Sequence, residues 1–253
     1  MTALTAPARA AVRRRPSAAR LTVIELRKMT DTRAGFWLLL VVALIAVGMV
    51  VLQLFTGDDR TRGLESIFSG TLMPVSVLLP VLGVLSATSE WSQRTALTTF
   101  TLVPARARTV AAKLAAAALL GLASTAVCLA AAALGNVLAG GSWTMPAALA
   151  GTAALYQVIG VVTGFAFGML FLNTPLAIVA NFVLPTVWGV LTAFVSAARP
   201  VGRWLDSSTT LGPLTTGGHL TGESWAKIAA TVAVWALLPL AAGCVRLARR
   251  DIA

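Results

Sequence analysis

Long apolar runs, broken at wide intervals by charge, organise this chain. No Asp, Glu, Lys or Arg occurs between Arg33 and Asp58, or between Glu65 and Glu90. Each gap holds about 24 residues, and at about 1.5 Å rise per residue either one would cross a hydrocarbon layer about 30 Å thick. From Lys113 to Arg199 there is again no charge, which leaves room for about three spans and their turns. A last apolar run follows Lys227 and ends at Arg246. One buried helix of a soluble protein can be apolar all round, but five or six in succession cannot be enclosed in a domain of this size. The pattern predicts an all-α integral membrane protein of about six transmembrane helices, at roughly 34–55, 67–88, 110–136, 148–172, 175–197 and 226–246.

Charge sharpens this picture by its distribution. The chain has 253 residues, of which 57% are hydrophobic and 11% charged, where a soluble domain spends roughly a quarter on charge. The formal net charge of +11 would suit a nucleic-acid partner if the basic residues formed a patch. Instead they flank the spans. Eight precede the first (Arg9, Arg13, Arg14, Arg15, Arg20, Arg27, Lys28 and Arg33), and Arg246, Arg249 and Arg250 follow the last. With an even number of spans and the N-terminus inside, Arg94, Arg106, Arg108 and Lys113 also fall inside. That gives fifteen Lys and Arg there against five in the outer loops. The expected location is a bacterial plasma (inner) membrane, multi-pass, with both termini cytoplasmic, with membrane lipids and no nucleic acid as partners.

Residues 1–16 read as a basic disordered tail near anionic headgroups, and Arg13-Arg14 as part of an uncleaved leader, since no small-residue cleavage site follows the first span. Residues 17–33 read as a cytoplasmic interfacial helix. Ser17 is its candidate cap, Glu25 with Lys28 and Arg27 with Asp31 are spaced to pair, and Phe36 and Trp37 mark the interface where the first span begins. Residues 34–246 form the six-helix domain and 247–253 a basic cytoplasmic end.

Within the spans, Pro74 and Pro80 in the second and Pro185 in the fifth remove backbone donors and are expected to bend their helices. Gly160, Gly164 and Gly168 place a doubled small-residue repeat on one face of the fourth, where another backbone can approach. Packing within the subunit is the preferred reading, a subunit interface the alternative. Gln157 and Asn181 are expected to hold helices together more than to bind cargo.

An enzyme would need a nucleophile with its base, paired acids or metal ligands. Apart from Lys113, Lys227 and Arg246 near their ends, the spans contain no Asp, Glu, Lys, Arg or His, and the chain has neither a G-x-S-x-G elbow nor an H-E-x-x-H pair. His219, the only histidine, sits among glycines in the outer loop and reads as an exposed residue. Cys128 and Cys244 fall in apolar runs and read as small core residues. No catalytic residue, metal site or bound cofactor is therefore expected. With no G-x-x-x-x-G-K-[ST] loop, any ATP must be hydrolysed elsewhere.

The most informative segment is Ser89-Glu90-Trp91-Ser92-Gln93-Arg94-Thr95 and its continuation to Lys113. Glu90 precedes Arg94 by four residues, so on a helix their side chains meet, while Trp91 can anchor at the interface. Two readings fit: a short rigid helix projecting from the membrane, or a solvated loop whose charges set topology.

The arrangement resembles the bacterial ABC type 2 permeases, the membrane-spanning subunits of the type V exporter fold. The resemblance rests on the lead helix ending Glu25-Leu26-Arg27-Lys28, the second span running into Ser89-Glu90-Trp91-Ser92-Gln93-Arg94-Thr95, the Pro104-Ala105-Arg106 turn, Ala112-Lys113 at the start of the third span, and the Arg249-Arg250-Asp251 ending. It implies a cytoplasmic coupling helix between spans two and three that docks on a separate ATPase, with Glu90, Trp91, Arg94, Thr95 and Arg106 in the coupling region and Glu25, Arg27, Lys28 and Trp37 in the lead helix and its junction. It further implies two permease copies, as a homodimer, and two ATPase subunits carrying ATP and Mg2+. Helices two and five would flank the substrate pathway, through Pro74, Pro80, Asn181, Pro185 and Trp188. The expected function is export of an apolar or amphipathic molecule by alternating access. A membrane scaffold or immunity protein shares the topology and is the alternative, followed by a membrane-embedded enzyme.

Overall fold

A computed structural model of the chain describes residues 17–57, 63–92, 106–218 and 220–249, without the side chains of Trp91, Ser92 and Arg106. Six helices are long and apolar enough to cross a membrane, and the described residues contain no strand, so this is an all-α, multi-pass membrane architecture. The short helix α1 (Ala18–Asp31) leads into α2 (Arg33–Thr56), followed by α3 (Leu64–Ser92), α4 (Arg106–Ala139), α5 (Leu149–Phe171) and α6 (Thr174–Phe194). Three short helices come next, α7 (Arg199–Leu205), α8 (Ser207–Leu211) and α9 (Pro213–Thr216). The last long helix, α10 (Gly222–Arg249), is interrupted by one π-helical segment at Ala233–Leu237.

Local chemistry sets these boundaries. Ser17 accepts from the Arg20 N–H at 3.2 Å and starts α1; Thr32 stops α1 in an extended conformation and caps α2 by accepting from the Gly35 N–H at 3.2 Å. The minimal turn between α5 and α6 places Leu172 in the left-handed region at φ 52°, and Asn173 then caps α6 by accepting from the Leu176 N–H at 3.1 Å. The Arg246 guanidinium on α10 donates to the Leu170 carbonyl, and so supplies a cation to the C-terminal end of α5.

Lipid tails are as apolar as leucine, so the helices cohere through close packing more than through escape from water. Their contact is most extensive between α3 and α5. A Cβ on Gly164 would run into the Pro80 carbonyl, one on Gly83 into the Val161 carbonyl, and one on Gly168 would lie 2.7 Å from the Ala87 Cβ. The glycine stripe of the fourth span thus faces α3 of its own chain. One buried cluster joins α2, α3, α4 and α5 through Val42, Ala46, Phe68, Leu72, Cys128 and Ala153. A second seats Met29 of α1 against Leu79, Leu82, Ala116 and Leu120.

The long segment between α6 and α10 is folded on the bundle. Leu211 and Leu214 bury themselves against Ile159 and Ile228, Thr231 donates to the Trp204 carbonyl at 2.9 Å, and the Trp235 indole donates to the Leu205 carbonyl at 2.8 Å.

Candidate functional site

Two features of different character stand out. The first is a closed ring of ion pairs where α1 meets the end of α3 and the start of α4. Lys28 Nζ lies 2.7 Å from Glu25 Oε1 and 3.2 Å from Glu90 Oε1. Lys113 Nζ completes the ring, 3.0 Å from Glu25 Oε2 and 3.3 Å from Glu90 Oε1. It also donates to the Ser86 carbonyl at 3.2 Å. Glu25, Glu90 and Lys113 are buried, whereas the Lys28 side chain remains 44% exposed.

Charges are costly to bury unless paired and hydrogen-bonded, and this ring satisfies both conditions with two carboxylates and two ammonium groups. Burial pushes the Glu25 carboxyl up, but the charge of Lys113 and hydrogen bonds from both lysines outweigh it and hold it below its ordinary value of 4.5. Burial likewise opposes the charge on Lys28, and Glu25 and Glu90 overcome it, raising the ammonium above its ordinary 10.5. The ring fastens α1 to two membrane-length helices at the points where the 93–105 segment leaves α3 and returns to α4.

The second feature is a cavity of about 430 Å³ bounded by α3, α5, α6, α8 and α10, whose wall includes Pro80, Tyr156, Asn181, Pro185, Ser208 and Trp235. No charged side chain lines it. Asn181 is 7% exposed and its Oδ1 has no hydrogen-bond partner. The Trp188 indole nitrogen, two turns further along α6, is also buried without a partner. The amides expected to join helices leave atoms unsatisfied at Gln157 Nε2 as well as at Asn181 Oδ1.

The residues singled out from sequence therefore divide. Pro80, Asn181 and Pro185, far apart in the chain, meet at one cavity, with Gly160 on its wall; Pro74 and Trp188 lie outside its lining. Glu25 and Lys28 pair as their spacing predicts, Arg27 is exposed, and Trp37 is 61% exposed at the start of α2. Glu90 turns inward to Lys28 and Lys113. Arg94, Thr95 and His219, the Pro104-Ala105 turn, Arg250-Asp251, and the side chains of Trp91 and Arg106 lie outside the described residues. Sequence reasoning did not join Lys28 and Lys113 to Glu90, and it missed Tyr156, Ser208 and Trp235 at the cavity. No group of three His, Cys, Asp or Glu side chains that could hold a metal ion occurs among the described residues. Compared with known proteins, the chain matches no family model and no curated protein.

Proposed function

We propose that this chain is the membrane-spanning subunit of an ATP-driven exporter of the ABC type, working as two permease copies with two separate ATPase subunits. The observation that carries the reading is the ion-pair ring. A segment that receives a push from a soluble motor must be anchored to a stiff frame, or the push is absorbed locally. Residues 93–105 spring from two helices that Glu25, Lys28, Glu90 and Lys113 tie to each other and to α1. In this reading the ring lies on the cytoplasmic side, as the excess of basic residues there favours, and Arg94 and Thr95 belong to the surface that meets the ATPase.

The cavity supplies the second half of the reading. Its wall joins α3 and α6, the second and fifth spans, at proline positions where backbone donors are missing. With apolar surface, hydroxyls and an amide but no charge, it suits a neutral amphipathic molecule. Alternating access would follow if the ATP-bound and ATP-free partners favour different arrangements of α3 and α6, since only such a difference in affinity moves the equilibrium.

The test is co-expression with ABC-type ATPase subunits from the same genome. Copurification in detergent and a changed ATPase rate are expected; an ATPase that neither copurifies nor changes its rate rejects the proposal.

A further inference from the structure

A second cavity, of about 490 Å³, lies beside the ion-pair ring between α1, the start of α2, α3 and α4. Its wall combines the cations Lys28, Arg33 and Lys113 with Ser86 and the apolar residues Leu82 and Leu85. Glu25 also borders it, with both carboxylate oxygens already committed to the lysines. Three observations point to a ligand. The lining holds three cations, Lys28, Arg33 and Lys113, against the one carboxylate of Glu25. Arg33 has no ion-pair partner among the described residues, and Lys28 uses two of its three donors on Glu25 and Glu90. Ser86 is 6% exposed and its hydroxyl has no hydrogen-bond partner, unlike Thr88 on the same helix, which donates to the Val84 carbonyl at 2.9 Å.

From this we infer that the cavity binds the phosphodiester headgroup of an anionic phospholipid. Its negative charge suits the excess of cations in the lining, and its oxygens accept from Arg33, Lys28 and the Ser86 hydroxyl. A lipid is a better match than free phosphate because the wall continues into apolar surface at Leu82 and Leu85, and because exposed Phe36 and Trp37 follow at once on α2, where an interface would hold them. The site shares Lys28 and Lys113 with the ring, but its lipid needs no ATPase partner, and it is separate from the neutral cavity.

The experiment is native mass spectrometry of the full chain, delipidated in detergent and titrated with phosphatidylglycerol, phosphatidylethanolamine or phosphatidylcholine of matched acyl chains. Phosphatidylglycerol is expected to bind tightest. Arg33→Gln, at an exposed position whose loss leaves the ring intact, is expected to weaken it about fivefold, and Ser86→Ala to weaken it further when combined. Equal retention of the three lipids overturns the inference, as does unaltered phosphatidylglycerol binding by the double variant. Thermal stabilisation by inorganic phosphate equal to that by phosphatidylglycerol overturns the lipid assignment in favour of a free anion.

Discussion

The end and the middle of the second span treat polar atoms in opposite ways. At Glu90, α3 enters a ring of four charged groups in which Lys113 faces both carboxylates and donates to the Ser86 carbonyl. Halfway along the same helix, Pro80 borders a cavity with no charge, where Asn181 keeps an acceptor without a donor. Both arrangements are buried, so the difference is one of compensation. A fully paired polar network fixes geometry, and one lacking a partner costs stability and keeps a valence for something else. The ion-pair ring itself thus behaves as a frame, and the neutral cavity as a place where the contents can change.

Lys113→Met tests this contrast most severely. It removes the buried cation that faces Glu25 Oε2 and Glu90 Oε1, at a cost of about 3–5 kcal/mol. The triple variant Glu25→Gln, Glu90→Gln, Lys113→Met also removes both buried carboxylates, leaves only the half-exposed Lys28 charged, and is expected to regain most of that loss. Denaturation in mixed detergent micelles, followed by tryptophan fluorescence, measures both. A single variant as stable as the parent would show that the ring carries no burden.

Next in size is the wall between the frame and the cavity. Gly164→Ala places a methyl group against the Pro80 backbone, which cannot swing aside as a side chain can, and should cost about 1–3 kcal/mol. Gly160→Ala is the control one turn earlier, because its nearest neighbour, Pro80 Cγ, would lie 3.6 Å away in ordinary contact. Equal losses at the two positions would mean that the stripe is not read by backbone approach.

The six spans were legible because charge-free length is a direct physical demand of the bilayer, and α3 and α4 only extend the expected segments by a few residues at their ends. Capping by Ser17 and the Glu25–Lys28 pair were local and legible for the same reason. The ring was not, because the same rule that made Lys113 look like a topology marker hid its reach across helices. A signal did exist: Glu25 and Glu90 are, with Asp31, among the few acids at the end of the bundle where most of the basic residues lie, and they gain from a buried cation there. The cavity was half legible. Prolines and an amide in spans marked Pro80, Asn181 and Pro185, whereas Tyr156, Ser208 and Trp235 meet them only through tertiary packing of α5, α8 and α10.

Acid and alkali should loosen α1 for opposite reasons. Glu25 is held below 4.5, so its contribution is present above that pH and fades as pH falls through the lowered folded value. Lys28 is raised above 10.5, so its share is complete below that pH and fades as pH rises through the raised value. Spin labels at the exposed positions Val23 and Ala111 report the separation of α1 from α4. A constant distance between these limits is expected, with broadening beyond each, and Glu25→Gln should lose the acid transition. A transition near neutrality would contradict the ring as drawn.

The smallest effect is expected at the other pole. Asn181→Leu replaces a buried amide lacking an acceptor's partner with an apolar side chain of similar size, and no hydrogen bond to Oδ1 is broken. Stability should stay the same or rise by up to about 1 kcal/mol, because the desolvation penalty of an unmatched oxygen disappears. Under the export reading, transport of a hydrogen-bond-donating cargo should fall while detergent stability holds. A clear loss of stability would instead show that Asn181 is structural, and the division between a paired frame and an open cavity would have to be redrawn along α6.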